Sequence, residues 1–266
     1  MNLPPTGPLT LAGIDVGRGR LIAPDPKLVS ADSTGPVLWL GSEPQSDGGK
    51  RWSALSKAFP NTGLWPLLLQ SMSGEPRRPW EDGELDPTSS ESSDAEQALS
   101  LLARSWSDNM PVEEENDSAR DAIRPFGANF PGLASIRGTS VKHDAPDRVA
   151  KEIASKDRRL GLVAVERSAD AVAVIGWMGA INHADAGSLS SVLRSWEDRF
   201  GTVVVGVEFD VLTLAVRRPP ITEDEALATA AEHFAFCPDN IYQGVGSIKK
   251  YASGLVNSHR WDFWWD

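Results

Sequence analysis

The chain has 266 residues, 41% of them hydrophobic and 24% charged, and it contains a single cysteine, Cys237. That balance suffices for a sizeable core in one large or two small domains, rules out an internal disulfide, and includes no apolar run of the eighteen residues that a membrane-spanning helix requires. The net charge of −11 is concentrated in residues 81–121, where 13 Asp/Glu face only Arg104 and Arg120, so the remainder is balanced at 24 acids and 24 bases.

A neutral body with one acidic segment lacks the basic footprint of a nucleic-acid binder; it is suited to a basic protein partner or to a solvated connection. No membrane association and no cofactor are expected. Met1-Asn2-Leu3-Pro4-Pro5 has neither a basic nor an apolar leader pattern. A lone cysteine fits a reducing cytoplasm. Ten tryptophans are many, and each buried indole N–H needs an acceptor.

In chain order, Leu9–Asp25 reads as two short strands around Gly17-Arg18-Gly19. Pro36–Leu40 reads as a buried strand. Trp52, Leu55, Ser56 and Phe59 fall at helical spacing, and Pro60–Gly63 ends that helix. Leu64–Leu69 is a strand whose Pro66 points to an edge or a start. Ser73–Asp94 is loop-like. Ala95, Leu99, Leu102 and Trp106 form a helical stripe, and Ser107–Asp121 is again polar. This pattern divides the chain into an N-terminal α/β region (1–80), an acidic linker or insertion with a short helix (81–121), and a C-terminal α+β domain (122–266) whose core is about 160–266.

A helix starts near Asp144-Ala145-Pro146 and ends in Lys156-Asp157-Arg158-Arg159, with bases suited to a helix C-terminus. Leu160–Glu166 and Ala171–Trp177 read as a hairpin around Ser168-Ala169-Asp170. Leu189, Val192, Leu193, Trp196 and Phe200 mark a strong amphipathic helix stopped by Gly201. Thr202–Phe209 and Leu212–Val216 form a second hairpin. Thr222-Glu223-Asp224-Glu225 is a capping box ahead of a helix carrying Ala226, Leu227, Ala230 and Phe234. Ser247–Val256 is a last short helix, and Trp261–Asp266 an edge strand. The expected fold class is α+β, an antiparallel or mixed sheet covered by helices, with a C-terminal β-β-α-β-β-α unit.

Gly63–Leu69, Gly176-Trp177, Leu193–Gly201, Glu232–Asn240 and Trp261–Asp266 together resemble a bacterial, mainly actinobacterial, family known as domain of unknown function 4253. The resemblance covers about 160–266 as the named domain. It implies a soluble bacterial protein and brings no substrate or catalytic residue with it.

Two constellations carry chemistry. His233 and Cys237 stand one helical turn apart, with Asp239 beyond Pro238; imidazole, thiolate and carboxylate together suit Zn²⁺ or an activated thiol. A single His/Cys pair lacks the doubled spacing of structural zinc motifs, so no metal is expected, and core packing is the competing reading. Asn182-His183-Ala184-Asp185 precedes a helix; His183 and Asp185 suit a general base and its orienter, or Asp185 is a helix cap. Glu197, Asp198 and Arg199 read as a solvated face. Trp261, Phe263 and Trp265 alternate toward the core, which turns Trp264 outward. Trp177, Asn182 and Trp264 are the candidate binding residues. Common hydrolase, NTPase and zinc-protease signatures are missing. The leading expectation is a non-catalytic, cytoplasmic protein-binding or regulatory module, one concrete version being an immunity-type protein that neutralises a toxin. The alternative is an enzyme, with or without a metal, using the His/Cys/Asp cluster.

Overall fold

The structure is a computed structural model that describes residues 2–29, 35–88, 95–111, 117–135, 137–138, 140–155 and 157–266. The polar stretches expected at 89–94 and 112–116, and Lys156, lie outside the described residues. One mixed sheet of eight strands organises the chain: β1 (Gly7–Leu11), β2 (Ile14–Ile22), β3 (Leu38–Gly41), β4 (Leu64–Leu69), β5 (Arg159–Ala164), β6 (Thr202–Val207), β7 (Val211–Val216) and β8 (Arg260–Trp264). Their spatial order is β1-β2-β3-β5-β4-β6-β7-β8. Only β4 and β6 run parallel; the other neighbours are antiparallel. The fold is α+β.

Strands β4 and β6 are buried at every position, so both faces must be covered. One cover pairs α1 (Gly48–Thr62) with α4 (Ala145–Ile153). The other pairs α5 (Ala171–Ile175) with α6 (Ala186–Phe200). Helix α2 (Ala95–Asp108) packs on α6 and on α7 (Glu223–Phe236), while α8 (Ile248–Leu255) packs on α7. A short helix α3 spans Asp117–Ala122, and a π-helical turn spans Asn240–Val245. Buried side chains from 16–80 and 122–265 join in one contiguous cluster.

Nine of the ten tryptophans are buried, and the exception is Trp264. Their N–H groups tie separate segments together. Trp52 donates to Pro66 O (2.8 Å), Trp65 to Val204 O (2.8 Å), Trp80 to Gln70 O (3.0 Å) and Trp177 to Glu208 O (2.8 Å). Each bond fixes one element against another while burying a large ring.

Several expectations are corrected. Ala171–Trp177 is not a strand. A 3-10 turn at Ser168–Asp170 runs into α5, and Gly176 ends that helix in the left-handed region (φ 72°). A Cβ there would stand 2.2 Å from Asp86 C, so only glycine fits. The first hairpin, and with it the β-β-α-β-β-α repeat, is absent: β5 pairs instead with β3 and β4. Pro66 lies in a central strand; the β6 ladder starts only at Leu68, so the missing N–H costs no rung on that side. The end of α1 does fall within Pro60–Gly63 as expected: Pro60 lies in its last turn and Gly63 is its left-handed cap. On α2 the buried residues are Ala98, Leu102 and Trp106, and Leu99 is exposed. Arg158 and Arg159 do not cap a helix; they pair with Glu208 and Glu81. The Thr222 hydroxyl does accept the Glu225 amide, but the Glu225 carboxylate accepts from Ile221 N and Arg137 N rather than from Thr222 N.

Candidate functional site

The C-terminal strand is where the sequence motifs meet. Helix α7 ends at Phe236, and the next four residues hold β8 in place. The Cys237 thiol donates to Trp264 O (3.0 Å). Asp239 Oδ2 accepts from Asp266 N (3.0 Å), and its Oδ1 accepts from Gln243 Nε2 (3.1 Å). Asn240 Oδ1 accepts from Trp264 N, and Asn240 Nδ2 donates to Asp262 O (2.8 Å). Cys-Pro-Asp-Asn is therefore a clasp. Burial pushes the Cys237 thiol up to about 12, which keeps it protonated and unreactive at neutral pH.

His233 points into an aromatic cage of Trp196, Trp261, Phe263 and Tyr251. Its Nδ1 is 3.1 Å from the Tyr251 hydroxyl, and Nε2 has no partner among the described residues. Burial first, then the nearby Arg199 charge, holds its pKa well below the usual imidazole value, so the ring is neutral. His233 and Cys237 thus bond to different partners. Among the described residues no group of three His, Cys, Asp or Glu is arranged to hold a metal ion.

Beside the cage lies a network that sequence reading missed. Glu232 is fully buried and accepts four bonds: Ala134 N (2.6 Å), Trp196 Nε1 (2.8 Å), Arg199 Nη1 (2.8 Å) and Arg199 Nη2 (2.6 Å). Arg199 is therefore half-buried and turned toward Glu232 rather than to solvent, whereas Glu197 and Asp198 both pair with Arg167 and Asp198 stays exposed. The signal for Glu232 was available: an acid at 232 next to apolar helix positions must find a counter-ion if that face is buried.

The second constellation also rearranges. Asp185 caps α6: its Oδ1 accepts the Ser188 amide (2.9 Å) and its Oδ2 the Ser188 hydroxyl (2.6 Å). Burial alone would raise its pKa, but the Ser188 and Gly187 bonds outweigh that and hold it below the usual carboxylate value. His183 turns instead toward Asp239, with Nε2 3.3 Å from Oδ2, joining one member from each constellation. The His183 side chain is 23% exposed and the Asp239 side chain 9%. Fifty-six residues separate the two, so no local spacing announces the pair.

Two clefts flank this loop, and Asn182 lines both. One, of about 480 Å³, lies between Leu101–Asp108 of α2, with Asn109 just beyond it, and His183–Val192. The other, of about 530 Å³, is walled by Met178, Ile181, Phe209 and Trp265. Both fall in the usual range for ligand sites. Asn182 Nδ2 donates to Asp266 O (3.4 Å). Trp177 is 2% exposed and packs edge-on behind Trp265. Trp264 is 36% exposed, and its indole donates to Asp210 Oδ2 (3.2 Å).

Residues 159–266 match the model of a family described as a domain of unknown function (DUF4253). The matched segment contains the clasp, the His233 cage, Arg199, Glu232 and His183. Strand β4 and helices α1, α2 and α4 lie outside it, yet α2 forms one wall of the first cleft. No curated protein and no solved structure matches the chain. No helix among the described residues is long and apolar enough to cross a membrane.

Proposed function

We propose that this is a non-catalytic recognition module of the bacterial cytoplasm that binds another protein through the face around residues 178–185. One contrast carries the reading. The candidate acid–base groups His233, Cys237, Asp185 and Asp239 are engaged in holding the fold, whereas the exposed apolar side chains Ile181 (54% exposed) and Leu28 (40%) meet at one cleft beside Trp264. Clustered exposed apolar and aromatic groups are what interface anchors look like. Neutralising a basic toxin is a concrete version, since an acidic partner gains on-rate and specificity there.

The acidic segment supports the reading less directly than its composition suggests. Glu81, Asp82, Glu84 and Asp121 are paired with arginines of the same chain, and Trp106 of α2 is in the core. Deleting Ser89–Asp121 would therefore open the core as well as remove charge, so point changes are the cleaner test. A photoreactive residue at position 181, in the protein expressed in its own host, should crosslink one discrete polypeptide. Trp264→Ala should weaken that crosslink, and the same probe at exposed Lys57 should give none. Equal crosslinking from 181 and 57 would overturn the reading.

A second reading is favoured by the 3.3 Å contact between His183 and Asp239 at the edge of the 480 Å³ cleft. A carboxylate that orients an imidazole there would make His183 a general base. Under that reading His183→Gln abolishes turnover and leaves crosslinking intact.

A further inference from the structure

The 530 Å³ cleft has a chemistry of its own. Its walls are apolar at Met178, Ile181 and Phe209. Its charged lining is Arg78, Glu84, Asp210 and Asp266. Arg78 is already neutralised: its Nε is 2.6 Å from Glu84 Oε1, Nη1 is 3.6 Å from Glu75 Oε1, and its guanidinium lies 5.0 Å over the Phe209 ring. The Asp210 carboxylate takes one neutral bond from the Trp264 indole, and no ion pair involves Asp210 or Asp266 among the described residues. The cleft therefore carries a surplus of negative charge beside an apolar floor.

A second observation is independent of that charge. Trp265 forms part of the wall, is 2% exposed, and its indole N–H has no acceptor among the described residues. A buried donor without an acceptor is costly and rare in a folded protein. It stands next to a space large enough for a side chain and the peptide unit that bears it.

We infer that this cleft takes a lysine or arginine side chain, with its adjoining backbone, from a basic segment of the partner protein. The alkyl stem lies along Met178, Ile181 and Phe209, and the cationic head reaches Asp210 and Asp266. The backbone carbonyl accepts from Trp265 after a small shift of the ring. The inference rests on the recognition reading and specifies the chemistry of its site.

The test uses the full chain and a fluorescein-labelled peptide amide, Gly-Leu-Lys-Leu-Gly, in an anisotropy titration. Two counterparts carry norleucine or glutamate in place of lysine. The lysine peptide should bind at least about tenfold more tightly than the norleucine peptide, and the glutamate peptide should not bind. Asp210→Asn and Asp266→Asn keep the shape and hydrogen-bonding oxygen but remove a charge, and each should weaken binding about three- to tenfold. Raising the salt should weaken it further. Trp265→Phe should weaken binding of the lysine and norleucine peptides alike, because it removes the donor to the shared backbone. Equal affinity for lysine and norleucine, absence of lysine-peptide binding, or insensitivity to both carboxamide variants would overturn the inference. The crosslink from position 181 is read separately. If it persists while the lysine peptide fails, recognition stands and the basic-segment assignment falls; if it is lost while the peptide binds, recognition of a host protein falls.

Discussion

Replacing Glu232 by Gln should cost more stability than any surface change in this protein. The variant keeps the shape of the side chain but removes its charge, and it turns one acceptor oxygen into an NH₂ donor. Four donors converge on the two native oxygens: the Ala134 amide, the Trp196 indole and two guanidinium N–H groups of Arg199. After substitution one oxygen remains for all of them, and the new NH₂ faces donors. The Arg199 charge also loses its partner in a site where the acid is 0% exposed and the arginine 20%. Breaking a buried ion pair from one side costs about 3–5 kcal/mol. At roughly 2–4 °C per kcal/mol for a chain of this size, the melting midpoint should fall by about 6–20 °C. Urea unfolding followed by circular dichroism gives the free energy, and a scan gives the midpoint. The double variant Arg199→Leu with Glu232→Leu should cost less than the sum of the single changes, since the pair leaves together and only the Trp196 and Ala134 donors are stranded. A Glu232→Gln variant within about 1 kcal/mol of the native protein would refute the network as the reason for this packing.

Three other outcomes follow from the structure. The folded-state pKa of His233 is depressed, so the unfolded chain binds its proton first as pH falls below about 6.5. That contribution to stability is complete above pH 6.5 and is lost on acidification by up to about 1.4 kcal/mol per pH unit, so His233→Gln should unfold with a shallower slope between pH 6.5 and 5; identical slopes would count against a buried neutral ring. With its thiol pushed up to about 12, Cys237 should react with a disulfide reagent at pH 8 only as the chain unfolds, and rapid reaction in the native protein would contradict its burial. Gly176→Ala must adopt φ 72° and displace the backbone of Asp86–Pro87, so it should destabilise by more than about 2 kcal/mol in urea, while an alanine tolerated there would show that the 86–88 segment packs differently.

Where the sequence was legible, one strong physical signal dominated. The i, i+3, i+4, i+7 series at Leu189–Phe200 makes α6, and the alternation at Trp261, Phe263 and Trp265 makes β8 with Trp264 turned outward. Ala171–Ile175 was misread because a five-residue apolar run with valines suits a strand as well as a buried helix. The surrounding elements decide between them: α5 is enclosed by β5 and α6, and Gly176 closes it in a conformation no strand contains. The candidate site was legible as residue types but not as pairings. His183 and Asp239 were each singled out, but with the wrong partners, because one nearby group (Ser188) had a stronger claim on Asp185. Arg199 read as surface because its acid lies 33 residues away on another helix.

The strand order also sets a timetable for synthesis. Strands β3 and β4 are neighbours in sequence but not in space, because β5 lies between them. A growing chain that has delivered Leu38–Leu69 therefore holds two strands with a gap that nothing yet made can fill. The residues that fill it begin at Arg159, and at roughly 5–20 residues per second the wait lasts on the order of 5–20 s. During that interval the apolar edges of Leu38-Trp39-Leu40 and Leu67-Leu68-Leu69 are open to any other strand. A cell making this protein quickly should see its nascent chains occupied by chaperones until β5 leaves the ribosome, and released soon afterwards.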